Sequence, residues 1–225
     1  MHRTVFFFAE SLRWTCKYTK IRLRHPKKMS NFACELLLGL QHQQIHYQTQ
    51  PNMNTIDCIK TRRSVRKFKN EQIKDEELIQ VLEAGTWSPT SMGAQHPHII
   101  AVQNPSFLSR LRKMNAEVLG TISDPYYGAP TIILVFTDRG YGNEIYDGSI
   151  VLQTMMLAAH EIGLGTCWIH REREMFDTEE GQQLLRDMGI NENLIGIGAL
   201  SIGYEAEGGS RSPKPRKPDY YKIVK

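Results

Sequence analysis

The amino-acid sequence predicts an α+β domain. Helical patterns and short β-prone runs follow one another without the strict strand–helix–strand repeat of a doubly wound sheet. The β-prone runs are rich in branched side chains, and they cover His98–Gln103, Thr131–Phe136, Thr166–Ile169 and Leu194–Ile202. The chain has 225 residues, of which 40% are hydrophobic, and this is enough for one domain with a sizeable core.

The first clear helix is predicted to start at three consecutive acids, Asp75-Glu76-Glu77. Negative side chains favour a helix N-terminus because they complement its partial positive charge. Apolar and small residues then follow at helical spacing, at Leu78, Val81, Leu82 and Gly85. The strand over His98–Gln103 comes next along the chain.

Asn104-Pro105 begins a second predicted helix. Asparagine accepts hydrogen bonds from the first free N–H groups of a helix, and proline fits the first helical position. One face of this helix is formed by Phe107, Leu108, Leu111 and Val118. The run Thr131–Phe136 that follows is continuously β-prone, which predicts a strand buried on both faces.

A long helix is predicted from Asp147, its expected cap, to Ile162. It is apolar almost all round, so we expect it to be buried or covered at an interface. Gly163 and Gly165 end it, and the strand over Thr166–Ile169 follows.

The last helix and strand are also marked in the sequence. Asp177-Thr178-Glu179-Glu180 is a capping-box pattern that starts a helix, and Gly189 closes it. The glycine-bearing run Leu194–Ile202 is the final predicted strand.

Composition excludes several classes of protein. No apolar run is long enough to cross a bilayer, so we expect no membrane-spanning helix. The cysteines lie far apart and form no C-x-x-C pair, which argues against a zinc site or a disulfide scaffold. They are Cys16, Cys34, Cys58 and Cys167. This spacing fits a reducing compartment, and we expect a cytoplasmic protein.

The net charge of +4 comes from the N-terminal part of the chain. Residues 1–52 contain eight Lys and Arg against two acids, whereas residues 53–225 contain 20 against 22. The slightly acidic remainder argues against nucleic acid as a partner. We therefore predict an N-terminal extension over residues 1–52, poorly ordered or targeting-like, before a folded domain over residues 53–225. An organellar presequence stays open, whereas Val5–Ala9 is too short for a secretory signal.

Three polar clusters are candidate ligand sites. The segment Arg62–Arg66 combines three guanidinium groups with the hydroxyl of Ser64, which suits a phosphate. The glycine-bearing loop Ser88–Gln95 can present backbone N–H groups to a ligand. Near the C-terminus, Lys214 and Arg216 point the same way if the proline-rich tail is extended. Each cluster alone also fits a solvated basic face, an ordinary connection or a frayed tail.

Together these clusters resemble the FMN-binding pattern of the nitroreductase family. R-R-S-x-R, P-T-S-M-x-x-Q and K-x-R occur in the family's order and spacing, and Gly163–Ile169 looks like its glycine turn after the long central helix. The resemblance covers Met53 to Lys225. It implies a three-layer fold, in which helices flank a central mixed or antiparallel sheet, and a homodimer that holds FMN at its interface.

The resemblance also implies positions around FMN. The groups implied at the phosphate are Arg62, Ser64, Lys214 and Arg216, with Arg63 beside them. Those implied at the flavin ring and ribityl chain are Pro89, Thr90, Ser91, Gly93 and Gln95. Arg66 would face the pyrimidine edge, and the backbone of Cys167, Trp168 and Ile169 would face the edge near N5. Many relatives have Asn in place of Gly93, so a backbone or water contact would replace that side chain here.

The implied activity is hydride transfer from NAD(P)H through FMN N5 to a small electron-poor acceptor, such as a nitroaromatic or a quinone. The resemblance implies no catalytic side chain, because the cofactor carries the chemistry. A shared cavity for donor and acceptor predicts a ping-pong mechanism. Two alternatives stay open: a specialised relative that modifies its flavin or a natural product, and a non-catalytic FMN-binding protein. A nucleic-acid binder that uses the basic N-terminus is a third.

Three other signals are weaker. His96-x-His98 can place two imidazoles on one side of a strand, but no third ligand has usable spacing, so we predict no metal. Gly163-x-Gly165 follows a helix instead of opening one, unlike a dinucleotide fingerprint. Cys167 has no identifiable partner base that would make it a nucleophile.

Overall fold

The structure is a computed structural model, and it describes residues 53–225. The predictions for residues 1–52 lie outside the described residues. Among the described helices, none has both the length and the apolar character that a membrane span needs.

Six helices and four strands make up the described part of the chain. The helices are α1 (Thr55–Thr61), α2 (Asp75–Thr86), α3 (Pro105–Leu119), α4 (Glu144–Glu161), α5 (Glu172–Phe176) and α6 (Glu179–Asp187). The strands are β1 (Pro97–Val102), β2 (Thr131–Asp138), β3 (Gly165–Ile169) and β4 (Leu194–Gly203). A single 3-10 turn, Ser91–Gly93, lies between α2 and β1.

The four strands form one antiparallel sheet in the order β1-β2-β4-β3. β2 is central, and its register against β4 shifts between Val135 and Phe136. Beyond the edge strand β3, the segment after α1 adds one parallel bridge, Ser64 to Thr166. The bridge brings the arginine-rich segment against the sheet edge.

Helices cover both faces of the sheet, so the fold has three layers. On one face, Ile132, Leu134 and Phe136 pack with apolar side chains of α3, α5 and α6. On the other face, Ile133 and Val135 pack with α2 and α4. Residues Ile132–Phe136 are all fully buried, which confirms the predicted strand with two buried faces.

The predicted elements are confirmed, with bounds that shift by one to three residues. The Asn104 cap of α3 is also confirmed, because its side chain accepts the Ser106 N–H at 2.9 Å. The capping box predicted over Asp177–Glu180 does not form. Thr178 is the N-cap of α6, its hydroxyl accepts the Gly181 N–H at 3.0 Å, and Gly181 has no side chain to complete the box. Sequence patterning did not identify two short helices, α1 with seven residues and α5 with five. Only two residues separate α5 from β3.

The prediction that Asp147 caps the long helix is wrong. Helix α4 starts at Glu144 and has Asn143 at the N-cap, so Asp147 lies one turn inside it. The next residue, Gly148, faces Ile197 of β4 so closely that a Cβ would lie 2.7 Å from that side chain. This close packing fixes the first turns of α4 against the sheet.

Candidate functional site

The arginine-rich segment is held against β3 by backbone and by close packing. The N–H of Val65 donates to the carbonyl of Thr166 at 2.9 Å, next to the bridge from Ser64. A Cβ on Gly165 would lie 2.8 Å from Val65, so only glycine permits this approach. The structure therefore brings two predicted site segments together, Arg62–Arg66 and Cys167–Ile169.

Arg62 carries a partly buried positive charge. Its Nη1 is buried and has no hydrogen-bond partner among the described residues. Burial lowers the pKa of Arg62, and the neighbouring Arg63 lowers it further. The ion pairs among the described residues do not include Arg62. A partly buried guanidinium without a carboxylate partner is suited to an external anion.

The two other arginines of the segment differ from Arg62. Nη1 of Arg63 donates to the carbonyls of Lys60 at 2.9 Å and of Arg62 at 2.5 Å, so this side chain turns back onto the end of α1. Arg66 is exposed, and its guanidinium carbon lies 5.8 Å from the centre of the Tyr127 ring. Arg66 is therefore accessible to a ligand and rests on an aromatic face.

Strand β3 alternates its side chains between the two faces of the sheet. Cys167 and Ile169 are buried against the α3 face. Burial raises the pKa of the Cys167 thiol, which favours the protonated form and weakens any nucleophilic role. Trp168 is half-buried on the opposite face, and its indole nitrogen is buried without a partner among the described residues. Its ring stacks on His170 at 5.6 Å.

The loop Ser88–Gln95 has an unusual backbone. Met92, Gly93 and Gln95 have φ values of 53°, 67° and 57°, in the left-handed region. The loop is braced internally by the Gly93 N–H on the Thr90 carbonyl at 2.9 Å and by the Gln95 N–H on Thr90 Oγ1 at 3.0 Å. Pro89, Gly93 and Gln95 are exposed, whereas Thr90 and Ser91 are half-buried.

Asp147 anchors this loop to helix α4. Its two carboxylate oxygens accept the Ser91 N–H at 3.1 and 3.0 Å, and one of them also accepts the Tyr141 hydroxyl at 3.2 Å. Nδ2 of Asn143 donates to the Ser91 Oγ at 2.8 Å. Sequence reasoning missed this role because Ser91 and Asp147 are 56 residues apart and no local pattern links them.

Lys214 and Arg216 lie in the C-terminal segment of the chain. Both are exposed and lie outside the strands. The ion pairs among the described residues include neither of them. Their predicted contact with a phosphate stays a prediction.

The two histidines that flank Pro97 share one carboxylate. Nδ1 of His96 lies 2.8 Å and Nε2 of His98 lies 3.0 Å from the oxygens of Asp138. These hydrogen bonds lower the pKa of Asp138. His96 also stacks on Tyr141 with ring centres 4.1 Å apart. The described residues contain no group of three or more side chains suited to a metal ion.

Comparison with known proteins gives consistent matches. The model of the nitroreductase family matches residues 59–204. A relative from Methanothermobacter thermautotrophicus, which carries the assigned name NADH dehydrogenase/NAD(P)H nitroreductase, is 30% identical over 159 residues. That match covers 69% of this chain and 79% of the relative.

Two solved structures match over most of the described residues. A nitroreductase with bound FMN from Bacteroides fragilis is 28% identical, with a TM-score of 0.71. A nitroreductase with bound FMN from Desulfitobacterium hafniense is 25% identical, with a TM-score of 0.69. Each match covers 77% of this chain and 100% of the other chain.

Proposed function

The chain belongs to the nitroreductase family, and from that premise we propose that it is an FMN-dependent oxidoreductase. In this proposal NAD(P)H is the hydride donor, and the acceptor is a small electron-poor compound such as a nitroaromatic or a quinone. Two FMN-bound nitroreductases share its fold, and the relative from Methanothermobacter thermautotrophicus has NAD(P)H nitroreductase in its name.

The observation that carries the proposal is the unpaired guanidinium of Arg62. A partly buried cation whose Nη1 has no partner among the described residues needs an anion, and a phosphate supplies charge and acceptor oxygens together. The hydroxyl of Ser64 lies on the same short segment, which Val65 fixes to β3. These residues therefore fit the phosphate end of FMN.

The remaining contacts are assigned by position in the chain. We assign the ring and ribityl chain to Pro89, Thr90, Ser91, Gly93 and Gln95, and the phosphate additionally to Lys214 and Arg216. Arg66 is assigned to the pyrimidine edge, where a positive charge would stabilise negative charge on the reduced ring. The backbone of Cys167–Ile169 is assigned to the edge near N5, since it continues the strand that begins beside Ser64.

When bound, FMN supplies the redox chemistry by accepting a hydride from NAD(P)H and passing it to the acceptor. The side chains of this protein then have two tasks, to bind the cofactor and to orient the two substrates. Neither task needs a general acid or a nucleophile, and the raised pKa of the Cys167 thiol agrees with this.

We also propose that the functional unit is a homodimer. Three apolar side chains of α4 are exposed in the described chain, Ile145, Tyr146 and Ile150, with exposed fractions of 58%, 68% and 40%. The C-terminal residues Tyr220, Tyr221, Ile223 and Val224 are exposed as well. Large apolar side chains exposed on a helix in this way are typical of a face covered by another chain.

The test is the absorbance spectrum of the purified protein before and after NAD(P)H is added without oxygen. We expect the purified protein to show the visible absorbance bands of oxidised flavin. These bands should disappear when NAD(P)H reduces the flavin and should return when a nitroaromatic or a quinone is added. A colourless protein that takes up no FMN would contradict the proposal. A yellow protein that does not consume NAD(P)H would instead identify an FMN-binding protein without this activity.

A further inference from the structure

The loop that carries Pro89 to Gln95 holds a conformation that its own sequence does not favour. Met92 and Gln95 have positive φ values although neither is glycine, and Gly93 lies between them with a φ of 67°. L side chains are unfavourable in this region, so such a backbone persists only where surrounding contacts determine it. The contacts that hold it come from Thr90 within the loop and, from outside the loop, from the start of α4.

One residue of α4 and the N-cap residue of that helix both bind Ser91 of the loop, at its backbone N–H and at its Oγ. Asp147 accepts the Ser91 N–H with both oxygens, at 3.1 and 3.0 Å, and Asn143 donates to the Ser91 Oγ at 2.8 Å. Ser91 is the first residue of the 3-10 turn that contains Met92 and Gly93. An anchor at Ser91 therefore fixes the residue from which the left-handed segment starts.

Asp147 is itself held rigidly. It is 4% exposed, it lies in the first turns of α4 where the helix dipole favours a negative charge, and it accepts the Tyr141 hydroxyl. Gly148 beside it packs on Ile197 of β4 with no room for a Cβ. Because α4 packs on the sheet at Gly148, the Asp147 carboxylate fixes the position of the loop relative to the sheet.

We propose that Asp147 is a positioning residue for the cofactor, which acts through the backbone N–H of Ser91 and holds Ser91–Gln95 in the conformation that binds FMN. This inference rests on the proposed function, in which that loop lines the ring and ribityl chain. Ser91 is then primarily the anchor point of the loop, since its N–H and its Oγ are both engaged within the chain.

The first test is Asp147→Asn, which keeps the size of the side chain and removes one of the two oxygens that accept the Ser91 N–H. We expect the dissociation constant of FMN, measured by quenching of flavin fluorescence, to rise by about tenfold. The matched control is Asp187→Asn, the same chemical change at an exposed acid paired with Arg110. We expect no change in FMN affinity for this control.

The second test removes the donor instead of the acceptor. Ser91→Pro has no backbone N–H, and its geometry is permitted because Thr90 before it is extended, with φ −128° and ψ 157°. Ser91→Ala is the reference for loss of the hydroxyl alone. If Asp147 acts through this N–H, Ser91→Pro weakens FMN binding relative to Ser91→Ala at least as much as Asp147→Asn does relative to the wild type. The double variant is then no worse than Ser91→Pro alone.

Thermal unfolding of the FMN-free variants shows whether a loss of FMN affinity comes from a displaced loop or from a less stable fold. We expect the affinity loss to persist in variants whose helix content and unfolding midpoint match the wild type. Wild-type affinity in Asp147→Asn, or a double variant whose effect is the product of the two single effects, would overturn the inference and leave the proposed function intact. A wild-type protein that takes up no FMN would overturn both.

Discussion

The phenol of Tyr126 donates a hydrogen bond to Oε1 of Glu172 at 3.0 Å, and both residues are fully buried. Oε2 of Glu172 has no partner among the described residues. Nδ2 of Asn115 donates to the Tyr126 oxygen at 3.1 Å and to the carbonyl of His170 at 3.0 Å, so this network touches the end of β3. Burial raises the pKa of Glu172 to about 8. The carboxyl is therefore protonated at neutral pH.

Glu172 should make the stability of the protein depend on pH. Because its pKa is raised on folding, from 4.5 to about 8, the folded state binds this proton more tightly than the unfolded state. The contribution of this proton to the free energy of unfolding is complete below about pH 4.5, and it is lost as the pH rises through about 8. We expect the free energy of unfolding to fall by on the order of 4–5 kcal/mol from this group over that range.

Denaturant unfolding between pH 5 and pH 9 measures this effect. Glu172→Gln removes the titrating group, so its stability should vary less with pH than that of the wild type. Glu180→Gln, at an exposed position of α6, is the control and should keep the wild-type slope. Equal slopes in Glu172→Gln and the wild type would show that Glu172 does not titrate in this range.

Arg62 should contribute strongly to FMN affinity. Loss of a charge-assisted hydrogen bond costs about 1.5–3 kcal/mol, so we expect Arg62→Ala to raise the dissociation constant of FMN by about 10- to 100-fold. Arg62→Lys keeps the charge but loses the two-pronged donor, and its effect should be intermediate. Titration with FMN measures both.

The C-terminal cations are tested in the same assay. If the tail contributes to the phosphate site, Arg216→Ala should weaken binding strongly and Lys217→Ala should do little. Equal effects of these two substitutions on FMN affinity would show that Arg216 does not bind the phosphate.

Most of the fold was predictable because its signals are local. The cap Asn104, the cap Thr178 and the continuous β-prone run of β2 each specify their element within a few residues. The cap of α4 was not predictable in this way. Asp147 has the chemistry of a cap, but its carboxylate accepts from the loop 56 residues earlier, and the helix starts one turn before it.

The candidate site was predictable as a set of residue types but not as an arrangement. The R-R-S-x-R motif indicated a phosphate, but only the structure separates Arg62 from Arg63. Nη1 of the partly buried Arg62 has no partner among the described residues, whereas Arg63 donates to carbonyls at the end of α1. The contact of Arg66 with Tyr127 joins segments 61 residues apart and has no sequence pattern. Contacts of this kind depend on tertiary packing, which short motifs do not encode.

The exposed face of α4 should be an interface between two copies of the chain. We expect sedimentation at micromolar concentration to show a homodimer, and Tyr146→Asp to shift it toward monomer because the charge would be buried in an apolar contact. Ile122→Asp, at a fully exposed residue on the loop after α3, is the control and should leave the dimer intact. A stable FMN-loaded monomer of the wild type would refute the dimer.

Deletion of residues 1–52 should leave the folded domain and its flavin content intact. The expectation follows from the change in composition at Met53, where the basic segment ends and regular helix and strand signals begin. Circular dichroism and the FMN-to-protein absorbance ratio measure the outcome. A soluble truncated protein that cannot hold FMN would show that the segment belongs to the domain, and loss of organelle import alone would identify a targeting sequence.

The kinetics should be ping-pong, with parallel lines in double-reciprocal plots. The described residues contain no strand followed by a glycine-rich helix start, so a separate nicotinamide domain of the Rossmann type is absent from them. We therefore expect NAD(P)H and the acceptor to use the same space in turn, so that NAD(P)⁺ leaves before the acceptor enters. Excess of either substrate should inhibit by occupying the cavity at the wrong step. Because the side chains serve binding and orientation, we expect no single substitution to abolish turnover while FMN stays bound. Intersecting initial-rate lines would indicate a ternary complex and would overturn the shared cavity.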